Sequence, residues 1–120
     1  MASARSFTFP KARRLGRASE YEQVKRHGLT RRAKLLIVSA LPVDNSGLCR
    51  AGFVTSRHIG SAVVRNRIRR RLREIVRQHQ TELRSDFWMV IIARSEAASA
   101  TYHELEHEWL RLAKRASILL

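Results

Sequence analysis

The hydrophobic and polar positions between Ser61 and His79 repeat with the period of an α-helix. At about 100° per residue, the apolar side chains share one arc of about 120°. That arc contains Val64, Ile68, Leu72, Ile75 and Val76. The opposite side carries Asn66, Arg69, Arg70, Arg73 and Arg77, and the arc is flanked by Arg65, Arg67 and Arg71. Because serine is a favourable N-cap, the pattern predicts a helix that starts at Ser61, ends near His79 and buries one face.

Two more segments have helical character. Ser19 is a candidate cap for a short helix that Gly28 ends, with Tyr21, Val24 and Lys25 on its inner face. A last helix is predicted to start near Thr101. Its core stripe recurs at steps of three and four residues and consists of Tyr102, Leu105, Trp109, Leu112 and Ala116.

Three apolar runs, at 34–41, 48–56 and 87–93, predict β-strands. Side-chain alternation puts Phe53 and Thr55 on one face of the second strand and Val54 on the other. The pattern leaves open which of these faces is covered. One sheet with helices and no second domain is typical of the α+β class.

The amino-acid composition indicates what kind of partner this fold binds. The 120 residues include 24 Lys and Arg against 10 Asp and Glu, which gives a formal net charge of +14. Glu74 is the only acid between Arg65 and Gln80, whereas a solvated helix face normally mixes both signs. Arginines that repel one another are stabilised by a polyanion. We therefore expect a nucleic-acid partner.

Other features of the sequence narrow the possible classes of protein. No apolar run is long enough for a membrane helix and no secretory segment is apparent, so a cytoplasmic protein without a membrane partner is expected. Residues 1–14 are expected to form a flexible basic arm before a domain at 15–120. Cys49 stands alone, which favours a small buried side chain over a disulfide or a cysteine-cluster metal site.

One motif points to a different class of protein. His103-Glu104-Leu105-Glu106-His107 has the H-E-x-x-H spacing of zinc metalloproteases. A catalytic zinc site needs a third ligand, and residues 109–120 contain no Asp, Glu, His or Cys. Both histidines also lie off the apolar stripe of this helix. A polar surface is therefore favoured, and a metalloprotease or a surface metal site is a minor alternative. No other catalytic constellation is evident.

A strand, a basic connector and a glycine lead into an Arg-Asn-Arg helix in this chain. The block runs from Arg50-Ala51-Gly52-Phe53-Val54-Thr55-Ser56 to Gly60-Ser61-Ala62-Val63-Val64-Arg65-Asn66-Arg67-Ile68-Arg69-Arg70. It resembles the signature of the bacterial ribonuclease P protein subunit. The resemblance extends to the first helix, the strand after Asp86 and the helix that begins at Tyr102.

This resemblance implies a single small α+β domain with three helices and a sheet of three to four strands. It also implies a left-handed β-α-β crossover through the arginine helix, although about 98% of such crossovers are right-handed. The implied holoenzyme removes the 5′ leader of precursor tRNA. Its RNA subunit performs the hydrolysis with bound Mg²⁺, and the chain is an accessory subunit with no small-molecule substrate. Composition alone leaves open a structural RNA-binding protein of ribosomal type.

The resemblance also implies two binding surfaces. The surface for the catalytic RNA would consist of Arg65, Asn66, Arg67, Arg69, Arg70 and Arg73. The cleft for the single-stranded leader would involve Tyr21, Lys25, Phe53, Thr55 and Arg57. Within that cleft, Lys25 stands where the family commonly has a second aromatic residue. Phe53 and Thr55 are candidates for its floor, although Phe53 fits the core equally well.

Overall fold

The structure is a computed structural model that describes residues 13–44 and 47–119. Its helices and strands are, in chain order, α1 (Ala18–His27), β1 (Leu29–Arg32), β2 (Leu36–Pro42), β3 (Arg50–Val54), α2 (Ala62–Gln78), β4 (Phe87–Ala93) and α3 (Tyr102–Arg115). None of the helices in these two stretches combines the length and the apolar character that crossing a bilayer requires. The predicted basic arm lies outside the described residues except for its last two, Arg13 and Arg14, so its extent stays a prediction.

The strands form one mixed sheet in the order β1-β2-β4-β3. β2 is antiparallel to both β1 and β4, whereas β3 runs parallel to β4. A parallel pair needs a crossover connection, and α2 is the helix in that crossover. The predicted α+β class is confirmed. The handedness of the crossover stays a prediction.

The two faces of the sheet are covered to different extents. On one face α2 and α3 enclose the main core, into which β4 contributes Met89 and Ile91. On the other face α1 packs over a smaller cluster around Leu15, Val24 and Val90. Since successive strand residues point to opposite faces, β4 serves both cores. The short helix α1 leaves part of its face of the sheet uncovered.

The helix α2 matches its prediction closely. Its N-cap is Ser61, whose Oγ accepts a hydrogen bond from the Val64 amide at 3.3 Å. It ends at Gln78, and the predicted apolar arc packs against the main core, with Val64 half-buried and the other four residues fully buried. The predicted stripe of α3 is confirmed as well, with Leu105, Trp109 and Leu112 fully buried.

Two details of the other elements differ from the prediction. β1 was not predicted, because only Leu29 among its four residues is hydrophobic. The strand forms through backbone pairing with β2, from Leu29 opposite Ala40 to Arg32 opposite Ile37. The first helix begins at Ala18, one residue before the predicted cap. The Glu20 carboxylate closes this end by accepting hydrogen bonds from the amides of Gly16 and Arg17.

Cys49 is buried immediately before β3, as expected of a lone cysteine in the core. Burial raises the pKa of its thiol to about 11. Because the thiolate is the reactive form, this side chain is chemically inert near neutral pH.

An ionic contact joins the end of α2 to α3. The His79 ring, next to Gln78, lies 2.8 Å from Glu82 through Nδ1 and 2.8 Å from Glu106 through Nε2. Burial acts to lower the pKa of His79, but hydrogen bonds to Glu106 and Glu82 outweigh it, and the pKa is raised above its ordinary value of 6.5. The contact is therefore strongest when the imidazole is protonated.

We expect the variant His79→Gln to remove a pH-dependent part of the stability. Because the folded-state pKa is raised, the stabilisation is fully present below the ordinary pKa and is lost as the pH rises through the folded value. Urea unfolding from about pH 5.5 to about pH 9 should show the gap between wild type and variant shrinking as pH increases. His107→Gln, at an exposed position of α3, is the control. A constant gap would contradict the assignment.

Candidate nucleic-acid interface

The edge strand β3 borders two candidate binding surfaces, one on each side. Its residue Gly52 lies directly beneath Tyr21 of α1, so that a β-carbon at position 52 would come within 2.5 Å of the ring atoms Cε2 and Cζ. Just beyond its end, Thr55 Oγ1 accepts a hydrogen bond from Arg69 Nη2 of α2 at 2.6 Å. The groove under α1 and the arginine face of α2 therefore adjoin along one strand.

A groove of about 200 Å³ lies between α1 and the open part of the sheet. Its lining consists of Tyr21, Lys25, Ser39, Val54, Val90 and Ile92. Tyr21 and Lys25 are one helical turn apart on α1 and form its wall. An aliphatic floor beside an aromatic ring and a cation suits a nucleobase with its phosphate, because stacking and charge are what single-stranded nucleic acid offers.

Neither of the two candidates for the floor lines this groove. Phe53 packs against the main core on the opposite face of the sheet, and Thr55 contacts Arg69 of α2. Since side chains alternate along β3, the residues that face α1 are Gly52 and Val54. Arg57 is exposed in a short 3₁₀ segment after β3 and does not line the groove.

Sequence reasoning missed four groove residues, Ser39, Val54, Val90 and Ile92. Alternation had sorted β3 into two sets but could not say which set faced α1. The available signal was Gly52, because a glycine inside a strand often marks the close approach of another group. Here that group is the ring of Tyr21.

Arg50, also missed, fixes α1 onto the sheet. Its Nη1 donates to Glu20 Oε2 at 2.9 Å, and its guanidinium carbon lies 5.9 Å from the centre of the Trp88 ring. Burial acts to raise the pKa of Glu20, but hydrogen bonds from the amides of Gly16 and Arg17 and from Arg50 lower it overall. The carboxylate therefore stays ionised, and the wall of the groove is held in place.

The arginine helix uses its flanking arginines as anchors. Arg65 donates to the Gly60 carbonyl oxygen at 2.8 Å, Arg67 to that of Ala98 at 3.2 Å and Arg71 to that of Ala100 at 3.1 Å. Carbonyl oxygens orient a guanidinium without neutralising its charge. These contacts hold α2 against neighbouring segments and keep its positive charge.

The outer face of α2 is not neutralised within residues 13–44 and 47–119. Its single acid, Glu74, is bound to Arg77. No carboxylate in the described part of the chain forms an ion pair with the predicted RNA-contact arginines, which are Arg65, Arg67, Arg69, Arg70 and Arg73. Arg70 and Asn66 are exposed, and Asn66 Oδ1 accepts a hydrogen bond from Arg69 at 2.9 Å.

The H-E-x-x-H segment has other roles in the structure. Glu104 exchanges two hydrogen bonds with Thr101 at the start of α3, and Glu106 binds His79. His103 and His107 are exposed. Among the described residues, no group of three or more His, Cys, Asp or Glu side chains could hold a metal ion. This part of the chain does not fit a catalytic zinc or a protein-held Mg²⁺ site.

A larger groove, of about 420 Å³, borders α3. Its charged lining mixes both signs and consists of Lys34, Glu96, Glu104, Glu108 and Arg111. Glu108 is occupied there, because it accepts hydrogen bonds from the amides of Leu35 and Leu36. Such a lining does not attract a polyanion, so the smaller groove under α1 is the better candidate.

A small α+β domain with an unneutralised arginine face beside an apolar groove falls in the class of nucleic-acid-binding proteins. The ribonuclease P family model matches residues 9–117. Over 110 residues the chain is 39% identical to the ribonuclease P protein component of Roseiflexus castenholzii, an alignment that covers 91% of this chain and 89% of that protein. It is 41% identical over 108 residues to the corresponding protein of Dehalococcoides mccartyi, covering 90% and 88%.

Solved structures agree on the fold. The RNase P protein of Staphylococcus aureus superposes with a TM-score of 0.85 at 23% identity, covering 92% of this chain and 100% of that one. The protein of Thermotoga maritima gives a TM-score of 0.77 at 24% identity, covering 85% and 96%.

The chain belongs to the ribonuclease P protein family. It is thus a subunit of a ribonucleoprotein endonuclease and takes part in the 5′ maturation of tRNA. The resemblance found in the sequence is confirmed.

The contact between Tyr21 and Gly52 can be tested directly. We expect Gly52→Ala to displace the Tyr21 ring and to lower the free energy of unfolding by about 1–3 kcal/mol through overpacking. Loss of NMR cross-peaks between the ring and residue 52, together with urea unfolding, measures both effects. Gly16→Ala is the matched control, because a β-carbon there meets nothing within 4 Å. An unmoved ring in Gly52→Ala would contradict the packing described above.

Proposed function

We propose that the chain binds the catalytic RNA of ribonuclease P through the outer face of α2 and holds the 5′ leader of precursor tRNA in the groove under α1. In doing so it promotes endonucleolytic removal of the leader. The observation that carries this proposal is that the arginine face of α2 and a small, mainly apolar groove adjoin along β3.

The chemistry of α2 supports the first contact. Folded RNA presents phosphates and 2′-hydroxyls rather than readable base edges, so a rigid row of guanidinium groups fixes its register without reading sequence. The residues predicted for this contact are Arg65, Asn66, Arg67, Arg69, Arg70 and Arg73. Of these we assign Arg65, Asn66, Arg67 and Arg70 to the catalytic RNA, because Arg69 and Arg73 lie towards β3 and Tyr21. The anchored arginines orient the row, and Arg70 is exposed and forms no ion pair with a carboxylate among the described residues.

The groove supports the second contact. A base of the leader would stack on Tyr21 above the aliphatic floor, and Lys25 would neutralise a phosphate one helical turn along α1. Lys25 replaces a stacking surface with a charge, which favours tolerance of leader sequence. Mature tRNA has no leader, so this groove distinguishes precursor from product.

The hydrolysis itself is assigned to the RNA subunit with Mg²⁺. The residues of the H-E-x-x-H segment support this division. Glu104 caps α3 and Glu106 pairs with His79, while His103 and His107 are exposed on the surface. The chain supplies positive charge and a shaped surface, which raise the local concentration of correctly oriented substrate. We infer that this occurs in the cytoplasm, where precursor tRNA is made.

Replacing Arg70 with alanine should weaken assembly with the catalytic RNA and reduce the slope of log K against log salt by about 1. Its guanidinium is exposed, so the fold should be unaffected. Filter binding across a salt series measures the effect. Arg115→Ala removes another exposed arginine, from the last turn of α3, and serves as control. Identical affinities and slopes for Arg70→Ala and wild type would remove the support for this face.

Replacing Tyr21 with alanine should weaken binding of precursor tRNA to the assembled enzyme by about 1–3 kcal/mol, the value of one stacked base. Mature tRNA should bind unchanged. Tyr21→Phe keeps the ring and should behave like wild type. An equal loss for precursor and mature tRNA would show that the groove does not hold the leader.

A further inference from the structure

Three arginines converge at the outer edge of β3, where the groove meets the arginine face. Arg14 pairs with Ala51 of β3, and the neighbouring Leu15 amide donates to the Ala51 carbonyl at 2.9 Å. Arg69 and Arg73 lie one turn apart on the same side of α2. Arg69 reaches the end of β3 through its 2.6 Å hydrogen bond to Thr55.

Within this cluster, the positive charge of Arg73 is the least compensated by hydrogen bonds. Its Nε is buried and has no hydrogen-bond partner in the described part of the chain. Burial lowers its pKa, and the charges of Arg14 and Arg69 lower it further, while Tyr21 acts in the opposite direction. These electrostatic effects require Arg14, Arg69 and Tyr21 all to lie near Arg73.

The carboxylates closest in the chain are committed elsewhere. Glu20 binds Arg50, and Glu74 binds Arg77. In the described residues, neither Arg69 nor Arg73 forms an ion pair. The segment that carries Arg14 is fixed, because its carbonyl oxygen accepts two hydrogen bonds from Arg50, at 3.2 and 2.9 Å. Guanidinium groups that are held close together repel one another, and a bound anion relieves this repulsion.

The geometry points to a phosphate-binding site formed by Arg14, Arg69 and Arg73, which takes a backbone phosphate of the tRNA leader next to the base stacked on Tyr21. This inference rests on the proposed function and deepens it. Arg14 gains a role in substrate binding, and Arg69 and Arg73 contact the substrate rather than the catalytic RNA. Arg70, on the exposed side of the same helix, continues to face the catalytic RNA.

The test compares Arg73→Gln with Arg70→Gln in the reconstituted enzyme. For Arg73→Gln we expect precursor tRNA to bind about tenfold or more weakly, with the affinities for mature tRNA and for the catalytic RNA unchanged. For Arg70→Gln the loss should appear in binding of the catalytic RNA. Arg73→Lys, which keeps the charge and loses the planar fork, should recover part of the precursor affinity.

A second arm needs no change to the protein. Precursors in which single leader phosphates are replaced by uncharged methylphosphonates should reveal one position that weakens binding to the wild-type enzyme. That substitution should have no further effect in Arg73→Gln, because the two changes remove the same contact. Additive losses at every position would overturn the proposed site.

The outcomes separate this inference from the function on which it rests. If Arg73→Gln weakens binding of the catalytic RNA and leaves the preference for precursor intact, the cluster belongs to the RNA subunit and the inference is wrong. If Tyr21→Ala also leaves that preference intact, the proposed leader groove fails as well. If Tyr21→Ala abolishes the preference while Arg73→Gln does not, only the phosphate site is lost.

Discussion

The contact between the Tyr21 ring and the bare backbone of Gly52 is the constraint on which the proposed RNA-binding side of the molecule depends. A β-carbon at position 52 would come within 2.5 Å of the ring, so α1 could not lie so close to β3 with any other residue there. The ion pair between Arg50 and Glu20 holds the helix in this position. The groove exists because the short helix α1 packs on one side of this face of the sheet and leaves the rest of the face uncovered.

The parallel pairing of β3 with β4 determines where the positive charge goes. A parallel pair requires a crossover, and α2 fills it with an apolar face toward the sheet and an arginine face outward. Carbonyl oxygens at Gly60, Ala98 and Ala100 fix three of its guanidinium groups without neutralising them. The result is a rigid positive surface next to the groove, which suits a protein that positions RNA and leaves the chemistry to it.

The sequence pattern predicted those elements whose formation depends mainly on residues close together in the chain. The helix α2 could be read from its period and from Ser61, because cap, apolar arc and charge agree. β1 could not, because Leu29 is its only hydrophobic residue and backbone pairing with β2 creates the strand. The face of β3 was also undetermined, since alternation sorts Phe53 from Val54 without saying which side α1 covers. That choice depends on the tertiary contact at Gly52, so the sequence alone could not decide whether Phe53 lies in the groove or in the core.

We propose that this chain positions RNA and performs no hydrolysis itself. The most direct test reconstitutes it with a bacterial ribonuclease P RNA at low Mg²⁺ and follows cleavage of precursor tRNA, with protein alone and RNA alone as controls. Cleavage at the junction of leader and mature tRNA only in the mixture is the predicted result. Cleavage by the protein alone, or no stimulation of several such RNAs, would contradict the account.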